Sequence, residues 1–294
     1  DAKLIRPFDG ITVNHRADGG CRADKFERDI SLLEQGLIDE PNNGRYHFYL
    51  GQSHKDLGST KKNQYEYKKR LKIEYEKKIA SLKKEETNTK EANTSDETTT
   101  TENTKETATN KEKLNRLESD LIKLNDDMKK LEEEFREHFS QAIPNYEARA
   151  KLGGWPEECY YSYLQIGIIK MRRGDDFYEY SGDLLKAYMF RPSRLEALFY
   201  LIRSCRLLGK TKLGYAYGMM AKDNKYPNDL LFIDRQIHDW GFWDELAMCA
   251  YYVGNTEFAI QLGEKIMLER KFSSNDEPRL KRNLEFYRSK LPKT

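Results

Sequence analysis

His47 and His54 stand seven residues apart in the run RYHFYLGQSHKDLG, a spacing that puts both imidazoles on one face of a helix. Two imidazoles are half of a zinc site. No further ligand stands at a matching spacing, so a solvated or partner-facing stripe is the simpler reading. Glu157 and Glu158 follow Pro156, in the first turn of a predicted helix, where a proline is tolerated and acidic side chains complement the dipole. A groove-lining role is the other one open to them. Cys21, Cys159, Cys205 and Cys249 are far apart with no C-x-x-C pair, which argues against zinc and disulfides and for buried thiols of a reducing, cytoplasmic setting. The chain carries no G-x-x-x-x-G-K-[ST], no G-x-S-x-G, no H-E-x-x-H and no glycine-rich dinucleotide loop. Catalytic chemistry has no recognisable residue set in this stretch.

The elements that would position a binding surface are easier to read. A net charge of +2 over 294 residues excludes a basic nucleic-acid footprint, and no apolar run approaches the length of a membrane span. Mean hydropathy is low, yet 19 tyrosines and 13 phenylalanines supply bulky core material. Four runs read as amphipathic helices that end at glycine and are followed by a second helix: 45–58, 160–174, 195–209 and 242–254. In the last, Trp243, Leu246, Ala247, Ala250, Gly254 and Ala259 sit close to the tetratricopeptide pattern; Leu50-Gly51 and Ile166-Gly167 take the paired Leu-Gly places in the first two, with Tyr67 as the aromatic of the first unit's second helix. Residues 276–290, with Leu280, Leu284 and Tyr287 on one face, read as a terminal capping helix. Gly153-Gly154-Trp155-Pro156 reads as a turn anchored by its aromatic.

One segment breaks this rhythm. Residues 87–110 contain ten threonines and no aliphatic side chain larger than alanine, a composition that predicts a disordered tip. Leu114, Leu117, Leu121, Leu124, Met128, Leu131 and Phe135 follow it at alternating spacings of three and four, a heptad seam. Tyr67, Leu71, Tyr75, Ile79 and Leu82 make a looser stripe before it. The two arms carry opposite net charge, with ten basic and five acidic residues over 61–86 against seven and nine over 111–139. They are expected to fold back as an antiparallel coiled-coil hairpin, either a partner-binding arm or a tolerated insertion. Asn93-Thr94-Ser95 within the tip is a glycosylation sequon without a secretory context. At the other end, Ile11, Thr12 and Val13 read as a strand, and Asp24 with Glu27 as a capped helix start.

The stretches 15–58, 146–167 and 186–202, with GGWPEE and the Pro41 to Tyr46 segment as the most specific parts, resemble the C-terminal helical-repeat region of family 2 glycosyltransferases. The resemblance implies an all-α, tetratricopeptide-like solenoid divided as follows: 1–20, the strand remnant of an upstream GT-A catalytic domain; 21–67, a first repeat; 68–142, the hairpin insertion; 143–294, the remaining repeats and cap. It implies that the insertion interrupts the first repeat's second helix between about Gln64 and Tyr146. It also implies a parent enzyme using Mn or Mg with a nucleotide sugar, its cofactor site lying outside this segment. Asp126-Asp127 and Asp175-Asp176 make poor Asp-x-Asp elements, and His15 stands where a terminal histidine could reach the metal or pack a domain junction. The implied function is acceptor binding or scaffolding, for a protein or glycan acceptor; a free-standing tetratricopeptide adaptor is the alternative. Candidates for the acceptor surface are Arg45, Tyr46, Tyr49, Gln52 and Ser53 on one helix and Glu158, Tyr161 and Gln165 on the next, with helix packing an equally good account of each.

Overall fold

The computed structural model describes residues 25–92 and 102–291. The strand at 11–13, His15, Cys21, the Asp24 cap and the sequon at Asn93 lie outside them. Among the described residues the fold is all-helical: α1 (Lys25–Asp39), α2 (Gly44–Ala92), α3 (Glu102–Leu152), α4 (Pro156–Arg173), α5 (Phe177–Phe190), α6 (Glu196–Leu207), α7 (Thr211–Met219), a π-turn (Ile237–Gly241), α8 (Phe242–Tyr252), α9 (Thr256–Glu269) and α10 (Glu277–Arg288). Among the described residues no helix is long and apolar enough to cross a membrane.

From α2 onward the helices pack as successive pairs, each first helix also meeting the second helix of the pair before it, and α10 closes the row against α9. Glycine stops explain three of the pairs. Gly174, Gly209 and Gly254 all adopt positive φ, the left-handed conformation that ends a helix without a Cβ clash. Asp176 then caps α5 through Tyr178 N–H, and Asn255 caps α9 through Phe258 N–H. The expected stop at Gly58 does not occur. That glycine is buried inside α2 because the Phe139 ring of α3 presses on it, leaving a Cβ only 2.8 Å from ring carbon. α2 therefore runs unbroken into the hairpin, and Tyr146 lies on the returning arm rather than continuing a helix begun near Gln64.

The arms are antiparallel, since the ion pairs Lys61–Glu134, Lys68–Asp127 and Lys83–Glu118 advance on one helix as they retreat on the other. Leu114, Leu124, Met128, Leu131 and Phe135 are buried along the seam, with Ile79 opposite. Tyr67 is 62% exposed; Tyr65 turns to the seam instead, its ring 5.6 Å from that of Phe135. Helix also extends into both ends of the expected disordered tip, to Ala92 and from Glu102. Once a helix is nucleated each added residue gains a backbone hydrogen bond, and a threonine can be accommodated by back-bonding, as Thr87 does to Lys83 O at 2.6 Å.

Two cores result. Phe48, Phe135, Phe139, Ala142, Tyr146, Ile166 and Ile169 join the base of the hairpin to α4. The larger core runs from Tyr160 to Tyr287 through α4 to α10, taking in Leu164, Leu184, Leu198, Leu201, Phe242, Leu246 and Leu284. Close helix approach depends on Gly167 and Gly218, where a Cβ would fall 2.7 Å from Leu184 and would run into Leu246. The free thiols of Cys159, Cys205 and Cys249 are buried, and burial pushes the last two up, to about 11 and about 12.

The Gly-Gly turn is held differently from its sequence reading. Trp155 is 46% exposed, and it is the buried Arg149 guanidinium that holds the turn, donating to Gly153 O and forking onto Glu158 Oε2 at 2.9 and 3.0 Å. Gly153 and Gly154 both have positive φ, which opens the turn around that side chain.

Candidate functional site: an inner groove and the strap that lies in it

The first helices of the pairs share one face, and a groove runs along it. One cavity of about 650 Å³ is lined by Tyr161, Gln165 and Ile168 of α4, Glu196 and Tyr200 of α6, and residues 232–237. A second of about 540 Å³ continues it across Tyr200, Arg203 and Arg206 of α6, Trp240 of the π-turn, Asp244, Glu245 and Met248 of α8, and Arg279 and Asn283 of α10. Tyr200, Asp234, Gln236 and Ile237 line both, so the two form one channel. Its walls alternate aromatic rings with charged groups. Arg206 forks onto Glu245, and Arg279 pairs with Asp244 at 2.7 Å. Burial raises the Asp244 carboxyl above the usual range despite that partner. Arg203 is 55% exposed and only loosely paired, 3.9 Å from Glu245, and the exposed Arg235 lines the first cavity, so both are open to an occupant.

Between α7 and the π-turn, residues 224–234 have no regular secondary structure, a long connection for a packed helical array. They lie over the body as a strap whose last residues, Phe232 to Asp234, line the first cavity. Phe232 stacks on Tyr161 with centroids 4.1 Å apart and lies 5.7 Å from Phe48, so a segment that leaves α7 reaches back to α2 and α4. Its backbone is held by side chains of the body. Glu157 Oε2 accepts the N–H groups of Leu230 and Leu231 at 2.9 and 2.6 Å, and Arg194 donates to Leu231 O and Phe232 O at 3.2 and 2.6 Å. Arg191 and Arg194 clamp the Asp229 carboxylate, whose burial they outweigh, holding its pKa below the usual range. Phe232 pays for this seating with φ of 58°, a backbone conformation costing on the order of 1–3 kcal/mol for a residue other than glycine.

Beneath the strap lies a fully buried charge network. Arg194 is 0% exposed, bonds both oxygens of Glu196 and places its guanidinium 4.7 Å from the Tyr160 ring. Burial pushes Glu196 up, but His238 and Arg194 beside it bring the carboxyl down to about 2. Glu196 Oε2 is 3.1 Å from His238 Nε2, and Oε1 accepts Asp234 N–H at 3.2 Å, so one carboxylate ties α6 to the π-turn and to the end of the strap.

Of the residues singled out from sequence, Tyr161 and Gln165 line the groove. Glu158 is buried on Arg149, and Glu157 holds the strap, so neither is simply a first-turn acid facing solvent. Gln52 accepts from Tyr146 Oη at 3.0 Å and donates to Asp56 at 2.8 Å, so it serves the α2–α3 contact, and Ser53 is buried. Tyr46 packs on Gly36 of α1; Arg45 lies over the ring of the half-exposed Tyr49, away from the groove lining. His47 and His54 do not form a solvated stripe. His47 Nε2 lies 3.0 Å from Pro41 O, and buried His54 meets His138 across the hairpin, Nδ1 to Nδ1, at 3.2 Å. The residues missed from sequence, among them Tyr200, Arg203, Asp244 and Arg279, recur on the groove-facing side of successive first helices, a signal that needs the helix pairs in register.

A divalent metal with a sugar nucleotide needs converging carboxylates. Among the described residues no group of three His, Cys, Asp or Glu side chains is placed to hold a metal ion. Asp127 pairs with Lys68 on the hairpin, Arg173 holds Asp175, and Asp176 caps α5, so these carboxylates do not fit such a site. Compared with protein-family models and with curated proteins, the chain matches none.

Proposed function

We propose that this chain is the acceptor-binding helical-repeat portion of a glycosyltransferase. In this reading the helix pairs are tetratricopeptide-like repeats, the hairpin is an antiparallel coiled coil, and the groove positions a protein or glycan acceptor beside a catalytic domain upstream. Metal and nucleotide sugar belong to that domain. The observation that carries the acceptor role is the continuous channel along the first helices of successive pairs, with aromatic rings and an exposed arginine on its walls. The link to glycosyltransferases rests on the resemblance of the GGWPEE and Pro41 to Tyr46 segments.

Calorimetric titration with a panel of nucleotide sugars in manganese tests the division of labour. No binding heat is expected. Saturable, metal-dependent binding would put a donor site within these residues and overturn it. A free-standing adaptor is the second reading, favoured by the polypeptide strap already seated in the groove. A catalytic domain preceding these residues in the full gene product would decide against it.

A further inference from the structure

The strap is gripped mainly through its backbone. Glu157 takes two consecutive N–H groups on one carboxylate oxygen and Arg194 serves two consecutive carbonyls, so the backbone bends at 231–232 and the body reads its main-chain polar groups whatever its side chains. Two side chains add selectivity: Asp229 in the fork of Arg191 and Arg194, and, three residues on, Phe232 against Tyr161 and Phe48. The same segment has features of a replaceable occupant. It has no secondary structure of its own, Leu230 is 75% exposed, and Phe232 is held at positive φ.

We propose that residues 226–234 are a self-ligand: they occupy a polypeptide-binding seat that opens into the groove, and an incoming segment with an aromatic residue three positions after an aspartate displaces them. This rests on the acceptor-binding reading of the groove and narrows the acceptor to protein.

The test uses the full chain and a fluorescein-labelled peptide of the strap, KYPNDLLFIDR, followed by fluorescence anisotropy. The chain carrying Asp229→Ala and Phe232→Ala releases its own strap and is expected to bind the peptide at least tenfold more tightly than wild type. Changing the peptide's phenylalanine to alanine is expected to remove most of that gain. Failure of the released chain to bind while circular dichroism shows it helical overturns the proposal. Should the double variant unfold, hydrogen exchange on wild type decides: excess peptide is expected to speed exchange of the Leu230 and Leu231 amides, and unchanged exchange with saturating peptide overturns the proposal. A released chain that ignores the peptide but binds a chito-oligosaccharide or mannan fragment overturns the polypeptide assignment while leaving the groove as the acceptor site.

Discussion

The hairpin and the body use the same helical geometry and opposite electrostatics. Along the arms, beyond the base, the buried surface is a single narrow seam, and the ion pairs that cross it are open to solvent, as with Lys83 and Glu118 at 55% and 43% exposure. The body has exposed pairs too, but it also holds charges inside: the side chains of Arg194, Glu196, Asp229 and Glu245 are all less than a tenth exposed, and each bonds two or more partners or carries a bidentate pair. Exposed pairs are screened and add little, so the arm rests on its seam and its ends are free to vary. Buried charges must be matched, so they fix where the strap and the π-turn sit. The groove belongs to the region whose geometry is overdetermined.

That contrast can be broken first at Arg194. Arg194→Ala leaves Glu196 buried without its arginine and Asp229 held by Arg191 alone, and a loss of about 3–5 kcal/mol is expected in urea unfolding of the body. A loss near that of a surface arginine would mean the network is solvated. Next comes Gly167→Ala, whose new methyl would meet Leu184 side-chain carbons at 2.7 Å; separation of α4 from α5 should cost about 1–3 kcal/mol by the same measurement. At the junction of the two regions, burial first and the facing His138 second depress His54 from 6.5 to about 4. The unfolded chain then binds a proton that the folded chain refuses between those values. Stability should be fully present above about pH 6.5 and fall as pH drops toward 4, by about 1–2 kcal/mol once solvent screening at this partly solvated site is allowed for. His54→Gln is expected to flatten that slope in pH-dependent melts. On the arm itself, Lys68→Ala should leave the melting temperature unchanged. A clear drop would show that the hairpin, like the body, depends on its charges.

Legibility in the sequence followed the range of the interactions. Gly174, Gly209 and Gly254 are local stop signals and end helices where expected, and the leucine seam of α3 needed only its own spacing. Gly58 looked identical, but its fate was set by Phe139 from the other arm, a contact no local pattern carries. Trp155 drew attention by its type, while the anchor of its turn is Arg149. The strap was invisible for the same reason. Glu157 bonds amides 73 and 74 positions away, and an irregular acidic-aromatic segment reads as a plain loop until its partners are in place. Tyr161 and Gln165 were found because they share a helix face; the rest of the groove is assembled from four elements.

The most direct measurement is a binding screen of the full chain against immobilised peptide and glycan panels, repeated with Tyr200→Ala/Arg203→Ala in the groove and with Lys68→Ala/Asp127→Ala on the hairpin. Groove residues are expected to control affinity, with at least a tenfold loss for the first pair and none for the second. Binding that survives the groove substitutions and is lost with the hairpin pair would contradict the assignment of the inner groove as the acceptor site.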